Sequence, residues 1–291
     1  MLSLLLPLAI LMTQTQGAPN DPMLDVWPSA PPDGWTRSDQ EAWRTDENGH
    51  FRVVSNVSHP TLEIFTSKTV KETAPTVLIC PGGGYYIEAM EHEGWEIAKR
   101  LNKVGINAAV LKYRLPNRDS DKPLHKAPLQ DAQRAIRLLR YNSGKYHIDP
   151  TKIGILGFSA GGHLAAVTSN TYEATYNSVD EADQLSPHPN FTVLIYPAYL
   201  EIDRKTELNP EITVTKDTPS VFIAQTEDDP IQVENAFAYA LACRKVGVPA
   251  ELHVWAKGGH GYGLRTKEPG LSTWPDLLIA WIQEWSRQRG S

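Results

Sequence analysis

The sequence has little cysteine and no concentrated positive charge. Only Cys80 and Cys243 occur among 291 residues, so a disulfide framework is not indicated, and both are expected to be small buried apolar residues. The formal net charge is -6 and no run rich in lysine and arginine occurs. Because phosphate binding requires a clustered basic surface, nucleic acid is excluded as an expected partner.

Local motifs for metals and phosphates are also missing. The nine histidines show no HxH or HExxH spacing, and there is no CxxC pair. The sequence therefore predicts no dedicated metal site and no cofactor. The glycine cluster GFSAGG at residues 157–162 has no Lys-Ser or Lys-Thr after it, which excludes a P-loop.

The longest apolar run near the start of the chain is too short to span a bilayer. It extends for eleven residues from Leu2 to Met12 and is followed by polar residues and the small pair Gly17-Ala18, which is typical of a secretory signal peptide. A buried N-terminal helix is the alternative, because no lysine or arginine precedes the run. We expect residues 1–18 to be removed after Gly17 or Ala18, which predicts a secreted or periplasmic protein without a membrane anchor.

What is present indicates a large α/β domain. Hydrophobic residues make up 41% and charged residues 21% of the chain, as in ordinary globular proteins. Residues 19–50 contain the segment VWPSAPPDGW and are expected to form an N-terminal arm packed on the domain. Residues 51–291 are expected to form the catalytic domain.

Strand-length and helical patterns alternate along that domain. Apolar positions with helical spacing occur in PLQDAQRAIRLLRYN and again near the C-terminus, at Leu277, Leu278, Trp281, Ile282 and Trp285. The later six of eight strand-like runs are interleaved with helices, which predicts a doubly wound, mostly parallel eight-stranded sheet with an antiparallel start, flanked by helices. The eight runs are FRVVSN, TLEIFT, TVLIC, NAAVLKY, KIGILG, FTVLIY, SVFIAQ and ELHVWA.

Ser159 lies in a strand–turn–helix context. The stretch KIGILGFSAGGHLAA reads as a strand, a GxSxG turn and a helix, which is the setting in which this motif presents a nucleophile. The turn is sharp, so Gly157 and Gly161 must lack side chains that would clash. The helix that follows points backbone N–H groups at developing negative charge.

A second glycine cluster, CPGGGYY at residues 80–86, follows the strand TVLIC. Adjacent glycines let backbone amides approach a substrate closely, so we expect the N–H groups of Gly83, Gly84 and Ala160 to bind an oxyanion. Which glycine donates is left open, and a plain glycine turn is the alternative.

A serine nucleophile requires a base and a carboxylate, which follow it in the order Ser, Asp/Glu, His. His260 lies in KGGHGYG beyond the strand ELHVWA and is the expected base, whereas His163 is expected to be a packed residue. Asp228 and Asp229 both follow the strand SVFIAQ. Because Asp229 precedes Pro230 and fits a helix N-cap, Asp228 is the predicted partner of His260, with Asp229 as the fallback.

With these motifs in place, the chain resembles the α/β-hydrolase superfamily, and within it the secreted esterases related to acetylxylan and feruloyl esterases. The resemblance covers about residues 75–265. It implies cleavage of short acyl esters, often acetyl groups on polysaccharides. The expected partner is therefore an ester substrate, such as an acetylated or feruloylated polysaccharide. Pro81 replaces the histidine of the HGGG-type relatives. The short interval from Pro197 to Asp228 predicts a reduced cap and an open pocket.

The tyrosines beside the predicted catalytic loops, Tyr85, Tyr86 and Tyr262, are candidates for substrate contact, whereas most tryptophans are expected in the core. Three other functions stay open: a general lipolytic esterase, which differs only in pocket shape; a peptidase of the prolyl-oligopeptidase kind; and a non-catalytic binding protein. The second is disfavoured because residue 160 is alanine and no propeller-sized segment exists. The third is disfavoured because all triad residue types are present.

Overall fold

Most of the predicted strands pair in one mixed sheet. The computed structural model describes residues 22–32, 40–46, 48–70, 72–117 and 120–289, so the predicted signal peptide lies outside the described residues. The strands are β1 (Met23–Asp25), β2 (Ala42–Thr45), β3 (Arg52–Ser55), β4 (Thr61–Phe65), β5 (Ala74–Cys80), β6 (Ile87–Glu88), β7 (Asn107–Lys112), β8 (Ile148–Phe158), β9 (Phe191–Ile195), β10 (Val221–Thr226) and β11 (Ala250–Trp255).

Five helices accompany these strands in the described part of the chain. A π-helical turn, Met90–Trp95, leads into the first of them, and short 3-10 turns occur at Glu181–Gln184 and Leu271–Thr273. Among the described residues, no helix has the length and apolar content that a bilayer crossing requires. The helices are α1 (Glu96–Asn102), α2 (Lys126–Tyr141), α3 (Ala160–Asn170), α4 (Glu234–Val246) and α5 (Trp274–Arg287).

The main sheet has eight strands in the order β1-β4-β7-β5-β8-β9-β10-β11. β1 and β4 pair antiparallel with their neighbours, and every pairing from β7 to β11 is parallel. The prediction of a mostly parallel sheet with an antiparallel start is therefore confirmed. Parallel strands bring their carboxyl ends to one edge, and this edge is where such folds place ligand and catalytic groups.

One strand of the predicted set belongs elsewhere. The run FRVVSN forms β3, which pairs with β2 and β6 in a separate three-stranded antiparallel sheet. The eighth place in the main sheet is taken by β1, from the N-terminal arm, which pairs with β4. At three residues, β1 is too short to show a period-2 pattern, so hydrophobic periodicity does not reveal it. Val26 and Trp27, directly after β1, are buried.

The core lies on both faces of the sheet. Every residue of β7, β9 and β10 is buried, as expected for parallel strands covered by helices on both sides. The predicted apolar positions of α2, namely Ala132, Ala135, Ile136 and Leu139, are buried, and α5 buries Leu278, Ile282 and Trp285. Cys80 and Cys243 are buried and unpaired, as predicted.

A buried carboxylate on α2, that of Asp131, links neighbouring segments of the chain. The Arg114 guanidinium and the Asp131 carboxylate form a fully buried ion pair, and Trp27 Nε1 donates to Asp131 Oδ1 at 2.7 Å. A buried carboxylate is stable only when its oxygens are hydrogen-bonded. Asp131 therefore links the arm, through Trp27, to the helix that precedes β8.

Candidate active site

Ser159 occupies a strained turn between β8 and α3. Its backbone has φ 51° and ψ -117°, in the left-handed half of conformational space that non-glycine residues rarely adopt. Three hydrogen bonds hold this conformation: Ser159 N–H donates to Ile195 O at 3.1 Å, and Ser159 O accepts from the N–H groups of His163 and Ala198 at 3.1 and 3.0 Å. The hydroxyl is thereby projected from the carboxyl edge of the sheet.

The glycines of the GxSxG motif are required by close backbone packing. A Cβ atom on Gly157 would lie 1.9 Å from Gly161 O, and one on Gly161 would lie 2.1 Å from Cys80 O. Neither backbone oxygen can retreat without moving a strand or a helix. These contacts also bring the end of β5, with its glycine cluster, against the turn that carries Ser159.

The structure brings the hydroxyl, imidazole and one carboxylate together. His260 Nε2 lies 2.9 Å from Ser159 Oγ, and His260 Nδ1 lies 2.8 Å from Asp229 Oδ2. The Asp229 side chain is fully buried, whereas that of His260 is 23% exposed. An ionised carboxylate can only accept, so Nδ1 carries the proton and Nε2 offers its lone pair to the serine hydroxyl.

The predicted pairing of Asp228 with His260 is wrong. Asp228 Oδ1 instead accepts from Gly259 N–H at 2.8 Å, and this bond lowers the pKa of the exposed Asp228 carboxyl. Asp229 does stabilise a local turn, because its Oδ1 accepts from Ile231 N–H at 2.7 Å, while α4 begins only at Glu234. A carboxylate has two oxygens, so Asp229 supports the turn with one and holds the imidazole with the other.

The glycine loop after β5 lies directly over the serine. A Cβ on Gly82 would stand 2.9 Å from Ser159 Cβ, and Gly83 and Gly84 have φ values of 133° and 63°. Gly82 N–H already donates to Glu93 Oε2 at 2.6 Å. The N–H of Ala160 belongs to the first turn of α3, where N–H groups have no intrahelical acceptor. Oxyanion binding by Gly83, Gly84 and Ala160 stays a prediction.

Glu93 is a site residue that the sequence analysis missed. It lies in the π-helical turn, is buried, and accepts Gly82 N–H with one carboxylate oxygen and Tyr196 O–H with the other, the latter at 2.8 Å. Tyr196 Oη in turn accepts Gly263 N–H at 3.2 Å. Burial and the neighbouring Glu93 charge raise the pKa of Tyr196 well above its usual value. Glu93 therefore joins the glycine loop to the loop that carries His260.

The three predicted substrate-contact tyrosines have different surroundings. Tyr86 is 64% exposed beside the glycine loop, whereas Tyr85 and Tyr262 are buried. The Tyr85 hydroxyl contacts His163 Nδ1 at 2.9 Å, and the Tyr262 ring packs edge-on against Tyr196 at 4.5 Å between centroids. Burial contradicts direct substrate contact by these two rings. Tyr199, which is exposed and stacks on Tyr85, lies near Gly84 and was missed.

The segment between β9 and β10 is irregular. All residues from 196 to 220 are described, and none of them lies in a helix. A short bridge between Glu201 and Leu208 is its only strand-like pairing. This confirms the reduced cap predicted from the short interval.

Three more side chains converge near this segment. His125, His163 and Glu211 each place one potential metal-ligand atom within 4.8 Å of the others. Burial lowers the pKa of His163 to about 3, so this imidazole is neutral at physiological pH. His163 was predicted to be a packed residue, and its burial agrees with that prediction. Its neighbours come from distant segments, so no sequence spacing could indicate the cluster.

A protein-family model matches the part of the chain that forms most strands of the main sheet. The BD-FAE family model matches residues 62–195. An endo-1,4-beta-xylanase B from Butyrivibrio fibrisolvens is 36% identical over 66% of this chain, and an acetylxylan esterase from Xylanibacter ruminicola is 30% identical over 64% of it. The chain spans 33% and 40% of the lengths of these two curated relatives.

Comparison with solved structures extends over nearly the whole chain. The acetyl ester-xyloside bifunctional hydrolase from Caldicellulosiruptor lactoaceticus is 31% identical, with a TM-score of 0.73, and the alignment covers 92% of this chain and 97% of that one. MGS-M1, an α/β hydrolase from a deep-sea metagenome library, is 29% identical with a TM-score of 0.63 over 84% of this chain and 97% of that one.

Proposed function

Because the chain belongs to the α/β-hydrolase superfamily, in the family that the BD-FAE model describes, we propose that it is a serine carboxylic-ester hydrolase. The observation that carries this proposal is the pair of contacts made by His260, 2.9 Å to Ser159 Oγ and 2.8 Å to Asp229 Oδ2. A serine hydroxyl becomes a useful nucleophile when a base so placed can take its proton.

The proposed reaction is a two-step acyl transfer. His260 Nε2 takes the Ser159 proton while Oγ attacks the ester carbonyl, and the N–H groups of Gly83, Gly84 and Ala160 bind the oxyanion. The imidazolium then gives its proton to the departing alcohol. Water attacks the acyl-serine by the same route in reverse and releases the acid. His260 accepts the Ser159 proton on Nε2, the ring nitrogen that faces the hydroxyl.

The proposed substrates are short acyl esters, above all acetyl groups on a polysaccharide such as xylan. The names of the relatives support this class, and so does the helix-free segment 196–220, because an open rim admits an acyl group still attached to a bulky sugar chain. Exposed Tyr86 and Tyr199 beside the glycine loop offer ring faces of the kind on which sugars pack. A general carboxylesterase is the competing function.

Ser159→Ala tests the chemistry. We expect the variant to lose p-nitrophenyl acetate hydrolysis by at least about 10³-fold in kcat/KM, because the nucleophile is removed. Ser178→Ala changes an exposed serine and serves as the matched control with unchanged activity. Retention of activity within about tenfold in Ser159→Ala would contradict the proposal.

A substrate panel then separates the related functions. Wild type is compared on p-nitrophenyl acetate, butyrate and octanoate, methyl ferulate, acetylated xylan and a peptide anilide. We expect a preference for acetate and release of acetate from xylan. A preference for octanoate with no action on the polymer would identify a general lipolytic esterase, and cleavage of the anilide would identify a peptidase.

We also propose export from the cytoplasm, supported by the apolar run from Leu2 to Met12 before Gly17 and Ala18. Expression of the full chain in a bacterial host, followed by fractionation and N-terminal sequencing, tests it. A mature N-terminus at residue 18 or 19 is expected. Recovery of the intact chain only in the cytoplasm would contradict it.

A further inference from the structure

A cluster of three potential ligands stands next to the active site without a part in the acyl-transfer chemistry. His125 precedes α2, His163 is the fourth residue of α3, and Glu211 lies in the helix-free segment 196–220. One ligand atom of each lies within 4.8 Å of the other two. The chain thus brings two imidazoles and a carboxylate together from three separate segments.

His163 has a buried nitrogen that needs a partner. Its Nδ1 contacts the Tyr85 hydroxyl at 2.9 Å, so Nε2 is the only ring nitrogen left to bind anything else. Nε2 is buried and has no hydrogen-bond partner among the described residues, and His163 as a whole is only 3% exposed. An unpaired buried polar atom costs free energy, and a bound ion would remove this cost.

The separations are compatible with a tetrahedral zinc ion. Zn²⁺ binds histidine nitrogen and carboxylate oxygen at about 2.0–2.2 Å, which places adjacent ligand atoms roughly 3.4 Å apart. His125 Nδ1 and Glu211 Oε2 are already 3.6 Å apart. The Glu211 side chain is 50% exposed, so it is free to rotate toward the two rings.

The surroundings of His163 fit the same chemistry. Histidine ligands of zinc use their second ring nitrogen to hydrogen-bond a neighbouring group, which fixes the ring and its tautomer. The buried Tyr85 hydroxyl holds His163 Nδ1 in this way. Tyr85 is itself held between Tyr113 and Tyr199 by ring contacts, so the orientation of His163 is set before any ion arrives.

We propose that His125, His163 and Glu211 bind one Zn²⁺ ion, with the fourth coordination position open to water. Two histidines, a glutamate and an open position form a ligand set that zinc accepts. His163 is four residues beyond Ser159 on the same turn-and-helix unit, and its N–H donates to Ser159 O. The ion would therefore fasten the start of α2 and the segment 196–220 to the helix behind the nucleophile.

The test is a zinc titration of the full chain after treatment with a chelator and its removal, in competition with a chromogenic chelator. We expect one tight equivalent for wild type. Glu211→Gln keeps the side-chain shape at an exposed position and should weaken binding by at least about tenfold. His125→Gln should do the same, and Zn²⁺ should raise the Tm of wild type but not of these variants.

Exposed histidine–carboxylate pairs provide the control. His253 Nε2 lies 2.8 Å from Glu251 Oε1 on the surface, so Glu251→Gln is a matched substitution that should leave the tight equivalent unchanged. Binding of Co²⁺ gives a second readout, because a tetrahedral nitrogen–oxygen site produces visible absorption that the Glu211→Gln variant should lack. Equal zinc affinity in wild type and Glu211→Gln, or no tight equivalent in wild type, would overturn the proposal.

Discussion

His260 and His163 stand at the same edge of the sheet in very different surroundings. His260 lies on a loop after β11, is partly exposed, and has a partner on each ring nitrogen: the Asp229 carboxylate and the Ser159 hydroxyl. His163 is closer to Ser159 along the chain but is buried, with a tyrosine on one nitrogen and no partner among the described residues on the other.

This difference distinguishes His260, which carries a proton during the reaction, from His163, which is a fixed structural or metal-binding group. A base in acyl transfer alternates between neutral and charged forms, so it requires a carboxylate that stabilises the charged form. Burial, together with the neighbouring His125, does the opposite and lowers the pKa of His163 to about 3. Proximity to the nucleophile is therefore a weaker guide to function than the partner of the second ring nitrogen.

The largest expected effect comes from the carboxylate that defines this contrast. Asp229→Asn should lower kcat/KM for p-nitrophenyl acetate by about 10³- to 10⁴-fold, because the amide no longer secures the tautomer of His260 or stabilises its charge. Asp228→Asn, one residue away, should cost less than about tenfold, because the exposed Asp228 carboxylate accepts from Gly259 N–H and does not hold the His260 ring. Steady-state kinetics on the two variants checks this, and a reversed ranking would return the role to Asp228.

Site residues that lie in short sequence motifs could be predicted, whereas those that depend on contacts between distant segments could not. GFSAGG and KGGHGYG were recognisable because the turn requires glycines at adjacent positions, and Ser159 and His260 do meet. The sequence does not separate Asp228 from Asp229, because one carboxylate can accept a backbone N–H and bind an imidazole at the same time. No sequence pattern indicates Glu93, since Gly82 and Tyr196 are brought to its carboxylate only by the fold.

The same distinction applies to the strands. The long runs of β7, β9 and β10 were predictable because burial on both faces requires continuous apolar residues. The pairing of β3 with β2 and β6 depends on chain geometry, which short alternating patterns do not specify.

A smaller effect should come from the buried carboxylate that joins the two catalytic loops. Glu93→Gln leaves one acceptor oxygen for two donors, Gly82 N–H and Tyr196 O–H. We expect kcat to fall about tenfold with KM changed less than threefold, because the loops lose alignment and not substrate affinity. Glu91→Gln, in the same turn but in a partly exposed ion pair with Arg265, is the control and should change little.

A double-mutant cycle sharpens this assignment. Tyr196→Phe removes the hydroxyl that Glu93 accepts from, so the effects of the two substitutions on kcat should be less than additive. Additive effects would mean that the two residues act independently, and an unchanged kcat in Glu93→Gln would remove Glu93 from the positioning role.

The buried His163 ring should make the stability of the fold depend on pH. Because the folded-state pKa of His163 is about 3 and the unfolded value is roughly 6.5, the unfolded chain alone binds this proton between those limits. The free energy of unfolding should therefore fall as the pH drops below about 6.5, by roughly 1.4 kcal/mol per pH unit from this group. Urea unfolding at pH 7 and pH 5, with a chelator present, measures the loss.

Replacing the buried ring isolates its contribution. His163→Gln should be less stable than wild type at pH 7 but should lose about 2 kcal/mol less on acidification to pH 5. Ser178→Ala, at an exposed serine, should keep the wild-type pH dependence. If His163→Gln and wild type lost the same stability, His163 would have to take up its proton in the folded state. The contrast with His260 would then fail, because it requires that burial keeps the His163 ring neutral, whereas His260 has a carboxylate partner that stabilises its charged form.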